Sequence, residues 1–327
     1  MFICIKKKFL NNLFLFLLVF FSVIFYWFFF EINLRIYPNP DERITNLSKY
    51  LLFYNTSSDI FLIKNKLFND QGYYSFTFLL NSIGIKFEIF LFCLFFTYLF
   101  FIIKIYYKIT KTNQSFITNI LLIILSIFWM NSLIGAVLRQ GCAFLILVYC
   151  FFLSNNSRVI KNFIIFLIAC SFHLSAFIFL PIFFYKFFKN KIFFLDILFI
   201  IILLLYSIGF INIFTNIIYE ISTMMNFNLR SLETLNHSTS GYSVYKLISA
   251  VIPIVIFRLS KLPNFYSEVY LIKIYLFLLI SFITGMLLSD MAYHDRLFLY
   301  GWSISGVIIV LVFYNFLRVL NFESQYK

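Results

Sequence analysis

The sequence is poor in the residues that a water-soluble enzyme needs. Charged residues fill only 12% of its 327 positions, 62% are hydrophobic, and the mean hydropathy is +0.94. Soluble domains are about half apolar and about a quarter charged, so one aqueous domain could not bury these side chains. The nine glycines form no phosphate-binding loop, which argues against a cytosolic nucleotide enzyme. We therefore expect an all-α polytopic integral membrane protein.

Two further absences concern metals and nucleic acids. None of the five cysteines belongs to a C-x-x-C pair, and four lie in apolar runs, so we expect neither a disulfide nor a metal site. The formal net charge is +13, but the basic residues are not gathered on a soluble face, so nucleic acid is not an expected partner. No motif implies a cofactor.

Long apolar stretches predict the membrane-spanning helices, because about 20 apolar residues cross a bilayer. The candidates are residues 9–30, 87–107, 116–130, 139–153, 192–214, 244–257, 269–288 and 300–317. The first follows three lysines and has no small-residue cleavage site, which predicts a retained helix rather than a signal peptide. A further stretch, residues 162–185, is compatible with one long helix or with a short hairpin that turns near His173.

The distribution of basic residues favours the hairpin, because cytoplasmic loops carry an excess of Lys and Arg. With the hairpin, fifteen basic residues lie in the cytoplasm, ten lie outside and one lies within a span, whereas ten of the 13 acidic residues lie outside. We predict about ten transmembrane segments in a single transmembrane domain, residues 1–327, with both the N-terminus and the C-terminus cytoplasmic. Two long outer loops are expected at residues 31–86 and 215–243, the first with short surface helices.

Four polar clusters fall at the outer membrane boundary in this topology. They contain Asp70 and Tyr73; Arg139 and Gln140; His173; and His294, Asp295 and Arg296. Each has a structural explanation, such as an arginine that reaches lipid phosphates, a histidine bonded between helices, a solvated loop or an aromatic belt. Ionisable groups in lipid usually face a cavity, however, and these clusters share one depth. Arginines in such a cavity would bind a diphosphate, and a histidine would take the proton of an attacking hydroxyl.

Two of the clusters resemble motifs of the EpsG-like polysaccharide polymerases, which are of the Wzy type. Residues 139–143 (RQGCA) resemble the family's R-Q-x-x-A motif, and residues 169–176 (ACSFHLSA) resemble its A-x-x-F-H-x-S-A motif. Residues 70–73 (DQGY) are similar to an acidic-x-Gly-aromatic motif, and Arg296 lies where members carry an arginine. The resemblance covers roughly residues 30–300. Cys142 is a departure, since an aliphatic residue is more usual there.

The resemblance implies a metal-independent glycosyltransferase in the bacterial inner membrane. It would join oligosaccharide repeat units carried on undecaprenyl diphosphate, at the outer membrane face, into capsule, O-antigen or exopolysaccharide. Arg139 and Arg296 would hold the diphosphate, and Asp70 and Tyr73 would line the sugar groove. Gln140 and His294 are further predicted substrate-binding residues. His173 or Asp295 would activate the acceptor hydroxyl. The expected partners are the lipid-linked oligosaccharide, membrane lipid, a chain-length regulator and a flippase.

Two alternative functions stay open. An O-antigen ligase would use the same outward-facing chemistry to transfer a finished polymer to a lipid core. A flippase or transporter would bind the same lipid-linked unit. Transporters tend to have repeated halves and polar residues along a transmembrane path, and the sequence shows neither.

Overall fold

The computed structural model describes residues 15–24, 70–111, 116–155, 157–210, 217, 220, 244–260, 266–289 and 295–325. Within these ranges 89% of the residues are helical and no strand occurs, which confirms the all-α prediction. A helix satisfies its backbone hydrogen bonds within its own segment, as an apolar environment requires.

The helices of the N-terminal half reproduce the predicted apolar stretches and add one helix. They are α1 (Leu15–Ile24), α2 (Gln71–Ser82), α3 (Phe87–Thr110), α4 (Phe116–Met130), α5 (Leu138–Val148) and α6 (Val159–Phe172). π-Helical turns, Asn131–Ala136 and Tyr149–Leu153, follow α4 and α5. α2 lies inside the predicted outer loop 31–86. The rest of that loop, where further short surface helices are expected, lies outside the described residues.

The C-terminal half begins after a helix break at His173, where the hairpin was predicted to turn; the hairpin's path through the membrane stays a prediction. After it come a 3₁₀ helix (Leu174–Phe184), α7 (Tyr185–Lys189), α8 (Ile192–Ser207), α9 (Val244–Leu259), α10 (Glu268–Leu287) and α11 (Asp295–Gln325). α8 is shorter than the predicted span 192–214, because it ends in a turn where Gly209 takes a left-handed backbone with φ 72°. Most of the predicted loop 215–243 lies outside the described residues.

Three helical stretches are long and apolar enough to cross a membrane by length and composition. They are Phe87–Thr110, Glu268–Leu287 and Arg296–Phe316. Shorter apolar helices accompany them: Leu15–Ile24, Phe116–Ile127, Leu138–Leu153, Val159–Phe172 and Ile192–Ser207. The chain is therefore a helical membrane protein, and its exact number of crossings stays a prediction.

The chain divides into two compact units. Unit 1 consists of Met1–Ala176, Phe265–Ser267 and Phe313–Lys327, and unit 2 consists of Phe177–Asn264 and Glu268–Val312. The sequence predicted a single transmembrane domain, and whether the two units act as one domain stays a prediction. Each unit is described below by itself.

In unit 1, α5 is held between α6, α3 and the π-helical turn that precedes it. A Cβ atom on Gly141 would lie 2.8 Å from the Leu133 carbonyl oxygen and 3.2 Å from the Ile134 Cα atom. Only glycine lets α5 approach that turn so closely. This contact fixes the first turn of α5, which carries Arg139.

In unit 2, α10 packs against α8 and α9. Phe277 of α10 stacks on Phe179 with ring centroids 4.1 Å apart, and Tyr300 contacts Phe179 edge-on at 5.0 Å. The buried hydroxyl of Ser281 donates to the Leu297 carbonyl at 2.5 Å and accepts from the Gly301 N–H at 2.8 Å. A side chain of α10 thus enters the hydrogen-bond ladder of α11 just after Arg296.

Candidate functional site

Three of the four predicted polar clusters meet in unit 1 around the first turn of α2. Asp70, which precedes α2, contacts Arg139 in the first turn of α5. Gly72 contacts Ser171 at the end of α6, two residues before His173. Segments that are up to 100 residues apart in sequence are therefore joined by one helical turn.

The centre of the site is an ion pair between Asp70 and Arg139. Arg139 Nη1 lies 2.6 Å from Asp70 Oδ2, and the same nitrogen donates to the Tyr74 hydroxyl at 3.2 Å. The guanidinium carbon lies 5.8 Å from the centre of the Tyr74 ring, within the range of a cation–π contact. The Asp70 side chain is 8% exposed, whereas that of Arg139 is 25% exposed. The arginine is thus anchored by a nearly buried carboxylate and is itself partly accessible.

The backbone at Asp70 explains how its carboxylate reaches α5. Asp70 has left-handed dihedral angles, φ 65° and ψ 34°, which aspartate tolerates better than most residues. Its carbonyl oxygen accepts hydrogen bonds from the N–H groups of Tyr73 and Tyr74, at 3.1 and 3.3 Å, while its side chain makes no capping bond to α2. The residue therefore begins the helix with its backbone and uses its side chain for Arg139.

Gly72 allows α2 and α6 to touch. A Cβ atom at this position would lie 2.1 Å from Ser171 Oγ and 3.0 Å from the Ser171 carbonyl carbon, so no other residue fits without movement. Beside it, the buried Tyr73 ring packs edge-on against Phe172 at 6.5 Å. The D-x-G-Y motif thus has a physical basis: the acid contacts α5, and the glycine and the aromatic ring contact α6.

His173 separates α6 from the 3₁₀ helix. Its backbone is extended, with φ −158° and ψ 121°, and its Nδ1 atom lies 2.6 Å from Ser175 Oγ. The backbone N–H of Ser175 also donates to Nδ1, at 3.3 Å. The imidazole therefore caps the 3₁₀ helix in the way that a serine or asparagine caps an α-helix.

Two predicted substrate-binding residues are buried in the described structure. Gln140 is fully buried in α5, and Tyr73 is 1% exposed. Neighbouring positions on a helix point about 100° apart, so Gln140 and Arg139 cannot share one direction. Tyr74, which the sequence did not single out, is the tyrosine that contacts Arg139. Its position four residues after Asp70, on the same helical face, was the available signal.

The fourth predicted cluster belongs to unit 2. Arg296 is half-buried and is the second residue of α11. His294 lies outside the described residues, and Asp295 is described only as the first residue of α11. The predicted pairing of Arg139 with Arg296 involves both units and stays a prediction. Among the described residues, no group of three His, Cys, Asp or Glu side chains could hold a metal ion.

Unit 2 also contains a polar cluster that the sequence did not predict. Arg258 Nη2 lies 2.7 Å from Asp196 Oδ2, and the Tyr275 hydroxyl donates to Asp196. Phe257 stacks on Tyr275 with ring centroids 5.0 Å apart. α8, α9 and α10 are thereby tied together.

The comparisons with known proteins agree with the motifs. The sequence profile of the EpsG family matches residues 39–321, a range that includes Asp70, Arg139 and His173. No curated protein and no solved structure matches the chain. The match covers well over half of the sequence and confirms the resemblance found in it. The chain belongs to the EpsG family, a family of Wzy-like membrane polysaccharide polymerases.

Proposed function

We propose that this protein is a glycosyltransferase that joins oligosaccharide repeat units linked to undecaprenyl diphosphate. The observation that carries the proposal is the geometry of Arg139, a partly exposed arginine held by the nearly buried Asp70 inside a family motif. An arginine anchored in this way presents a planar group of donors that matches phosphate oxygens.

In the proposed reaction, the terminal hydroxyl of an incoming unit attacks the anomeric carbon of the growing chain. The new carbon–oxygen bond forms as the bond from that carbon to the diphosphate oxygen breaks, and the hydroxyl proton passes to a base. Negative charge grows on the leaving diphosphate. A preorganised cation stabilises that charge strongly where water is scarce. Arg139 supplies this charge without a metal ion, and Asp70 keeps its guanidinium in place.

We place the site on the outer face of the bacterial inner membrane. Two groups of helix ends in unit 1 support this topology. The first group contains the residues of the site: Asp70, Arg139 and Ser171. The second group contains the end of α3, where Lys108 donates to the Leu153 carbonyl at 2.9 Å. The second group lies beside Lys111, Arg158 and Lys161, so the positive-inside rule assigns it to the cytoplasm. About ten crossings and cytoplasmic termini follow from the same rule.

The proposed partners are the lipid-linked oligosaccharide, the surrounding lipid, a flippase that delivers the units and a regulator of chain length. Because the site faces outward in this topology, the substrate must first cross the membrane. A flippase is therefore required upstream, and the polymerase needs no nucleotide.

The direct test is a strain that lacks the protein, with its surface polysaccharide separated on a gel. A polymerase predicts that the ladder collapses to one repeat unit and returns when the wild-type gene is restored. Long polymer that stays on its carrier lipid would identify a ligase instead. Loss of even the single unit from the cell surface would identify a flippase, and an unchanged ladder would refute the proposal.

A further inference from the structure

We propose that Ser175 fixes the tautomer of His173, so that His173 donates a hydrogen bond from Nε2 to the diphosphate and is not the catalytic base. This inference rests on the proposed function and reverses one role that the sequence suggested. His173 is the hydrogen-bonding residue of this proposal, and Ser175 is its positioning residue.

The first step concerns the Nδ1 atom of His173. A backbone N–H group can only donate, and the N–H of Ser175 is directed at Nδ1 from 3.3 Å. Nδ1 must therefore present its lone pair, and the Ser175 hydroxyl at 2.6 Å donates to the same atom. A neutral imidazole with an accepting Nδ1 carries its proton on Nε2.

The second step concerns why the fold enforces this tautomer. The chain leaves α6 at Phe172 and enters the 3₁₀ helix at Leu174, with His173 extended between them. The first N–H groups of such a helix need acceptors. The imidazole provides one for Ser175, and the His173 carbonyl provides one for Ala176 at 3.0 Å. A proton on Nδ1 would face the N–H of Ser175, so two donors would meet without an acceptor and the cap would be lost.

The third step concerns the chemistry that remains. A general base must offer a lone pair to the acceptor hydroxyl. On His173 the Nε2 atom already bears hydrogen, and the Nδ1 lone pair is bonded to Ser175. A protonated Nε2 suits an anion instead. The first turn of α2 contacts both Arg139 and Ser171, which lies two residues before His173. The hydroxyl proton then passes to a base other than His173.

The experiment compares His173→Gln with His173→Asn in membrane vesicles. The substrate is the lipid-linked repeat unit extracted from the deletion strain. The amide nitrogen of glutamine can occupy the place of Nε2, whereas that of asparagine reaches only the place of Nδ1. We expect His173→Gln to keep activity within about tenfold of wild type and His173→Asn to lose about 100-fold, the usual cost of losing a donor to a developing charge. Equal and complete loss in both variants, at wild-type protein levels, would overturn the inference.

A positioning variant tests the role of Ser175. Ser175→Ala removes the hydroxyl but keeps the backbone donor, so we expect a loss of about threefold to tenfold. Ser207→Ala, whose hydroxyl bonds to the Leu203 carbonyl of its own helix at 2.7 Å, is the matched control and should be neutral. A loss in Ser207→Ala equal to that in Ser175→Ala would contradict the positioning role.

A spectroscopic measurement separates this inference from the proposed function. The chain has three histidines, so nitrogen-15 labelling of histidine gives few signals, and His173→Gln assigns the one of interest. We expect a ring with the proton on Nε2 in wild type and, because the backbone donor remains, on Nε2 in Ser175→Ala as well. A proton on Nδ1 would overturn the inference even if the protein polymerises sugars. Failure of the wild-type protein to polymerise would instead refute the proposed function.

Discussion

Each unit contains a cluster of one aspartate, one arginine and one tyrosine, and the two clusters have nearly the same dimensions. In unit 1, Arg139 lies 2.6 Å from Asp70 and 5.8 Å from the ring centre of Tyr74. In unit 2, Arg258 lies 2.7 Å from Asp196 and 5.8 Å from the ring centre of Tyr275. Residue types and distances therefore do not distinguish the clusters.

The clusters differ in which partner the tyrosine hydroxyl contacts. The Tyr74 hydroxyl accepts a hydrogen bond from Arg139. The two partners of Arg139, Asp70 and Tyr74, therefore contact the same guanidinium nitrogen. Tyr275 donates to the carboxylate, so Asp196 is bonded from two sides. The first cluster orients a cation, and the second satisfies an anion. We infer that the first serves binding and the second serves packing of α8, α9 and α10.

The largest expected difference comes from removing each arginine. Arg139→Ala should lower the polymerisation rate by about 100-fold or more, because the leaving diphosphate loses its cation. Arg139→Lys should also lose most activity, since a lysine lacks the planar fork. Arg258→Ala should stay within about threefold, in line with the small contribution of exposed ion pairs. The measurement is the initial rate in vesicles with equal amounts of protein, and similar losses in both alanine variants would abolish the distinction.

Exchanging the charges should affect the two clusters differently. Asp70→Arg alone should destabilise the protein by about 3 kcal/mol, because it opposes two cations at a nearly buried position. Adding Arg139→Asp should recover much of the heat-denaturation midpoint in detergent but no activity. In unit 2, the exchange of Asp196 for arginine and of Arg258 for aspartate should recover both the heat-denaturation midpoint and the activity. Activity in the exchanged Asp70 and Arg139 variant would show that Arg139 has only a structural role.

Gly72→Ala tests whether contact between α2 and α6 matters beyond stability. Because of its 2.1 Å approach to Ser171 Oγ, the added methyl group should cost about 2 kcal/mol and about tenfold in activity. Adding Ser171→Gly to this variant should restore part of the lost stability and part of the lost activity. Gly209→Ala is the control, since it strains a left-handed backbone with nothing within 4 Å. It should cost about 1 kcal/mol and leave the rate of the folded protein unchanged.

The smallest effects are expected at an exposed ion pair of unit 2. Lys189 Nζ lies 2.8 Å from Glu268 Oε2, with side chains 47% and 63% exposed. Glu268→Gln should change the free energy of unfolding by less than about 0.5 kcal/mol. Asp196→Asn should cost more, because it also weakens the bond to the buried Tyr275. A larger effect of Glu268→Gln than of Asp196→Asn would contradict the assignment of Asp196 as the structural anchor.

The sequence predicted the helices well, because apolar stretches reveal them directly. The predicted segment 116–130 coincides with α4, and the segments at 244–257 and 269–288 differ from α9 and α10 by two residues or fewer at each end. A turn near His173 was also predicted, from the distribution of basic residues on the two sides of this stretch. α2 was missed as a defined element, since a 12-residue helix in a long loop has no length signal of its own.

The contacts of the site were harder to predict than its segments. The motifs pointed to Asp70, Arg139 and His173, but not to the ion pair between the first two, because nothing in a linear sequence shows which charges meet. The capping role of His173 depends on a 3₁₀ helix that has no simple hydrophobic period. Asp196 and Tyr275 are 79 residues apart and meet only through tertiary packing.

The length of α6 has a consequence for the surrounding lipid. Its 14 residues measure about 21 Å along the helix axis, whereas the hydrocarbon core of a bilayer is about 30 Å thick. Either the bilayer thins by about 9 Å around α6, or the residue at its end lies that far below the headgroups. If the proposed function is correct, membrane thickness sets how far a carrier lipid's headgroup must move to reach His173.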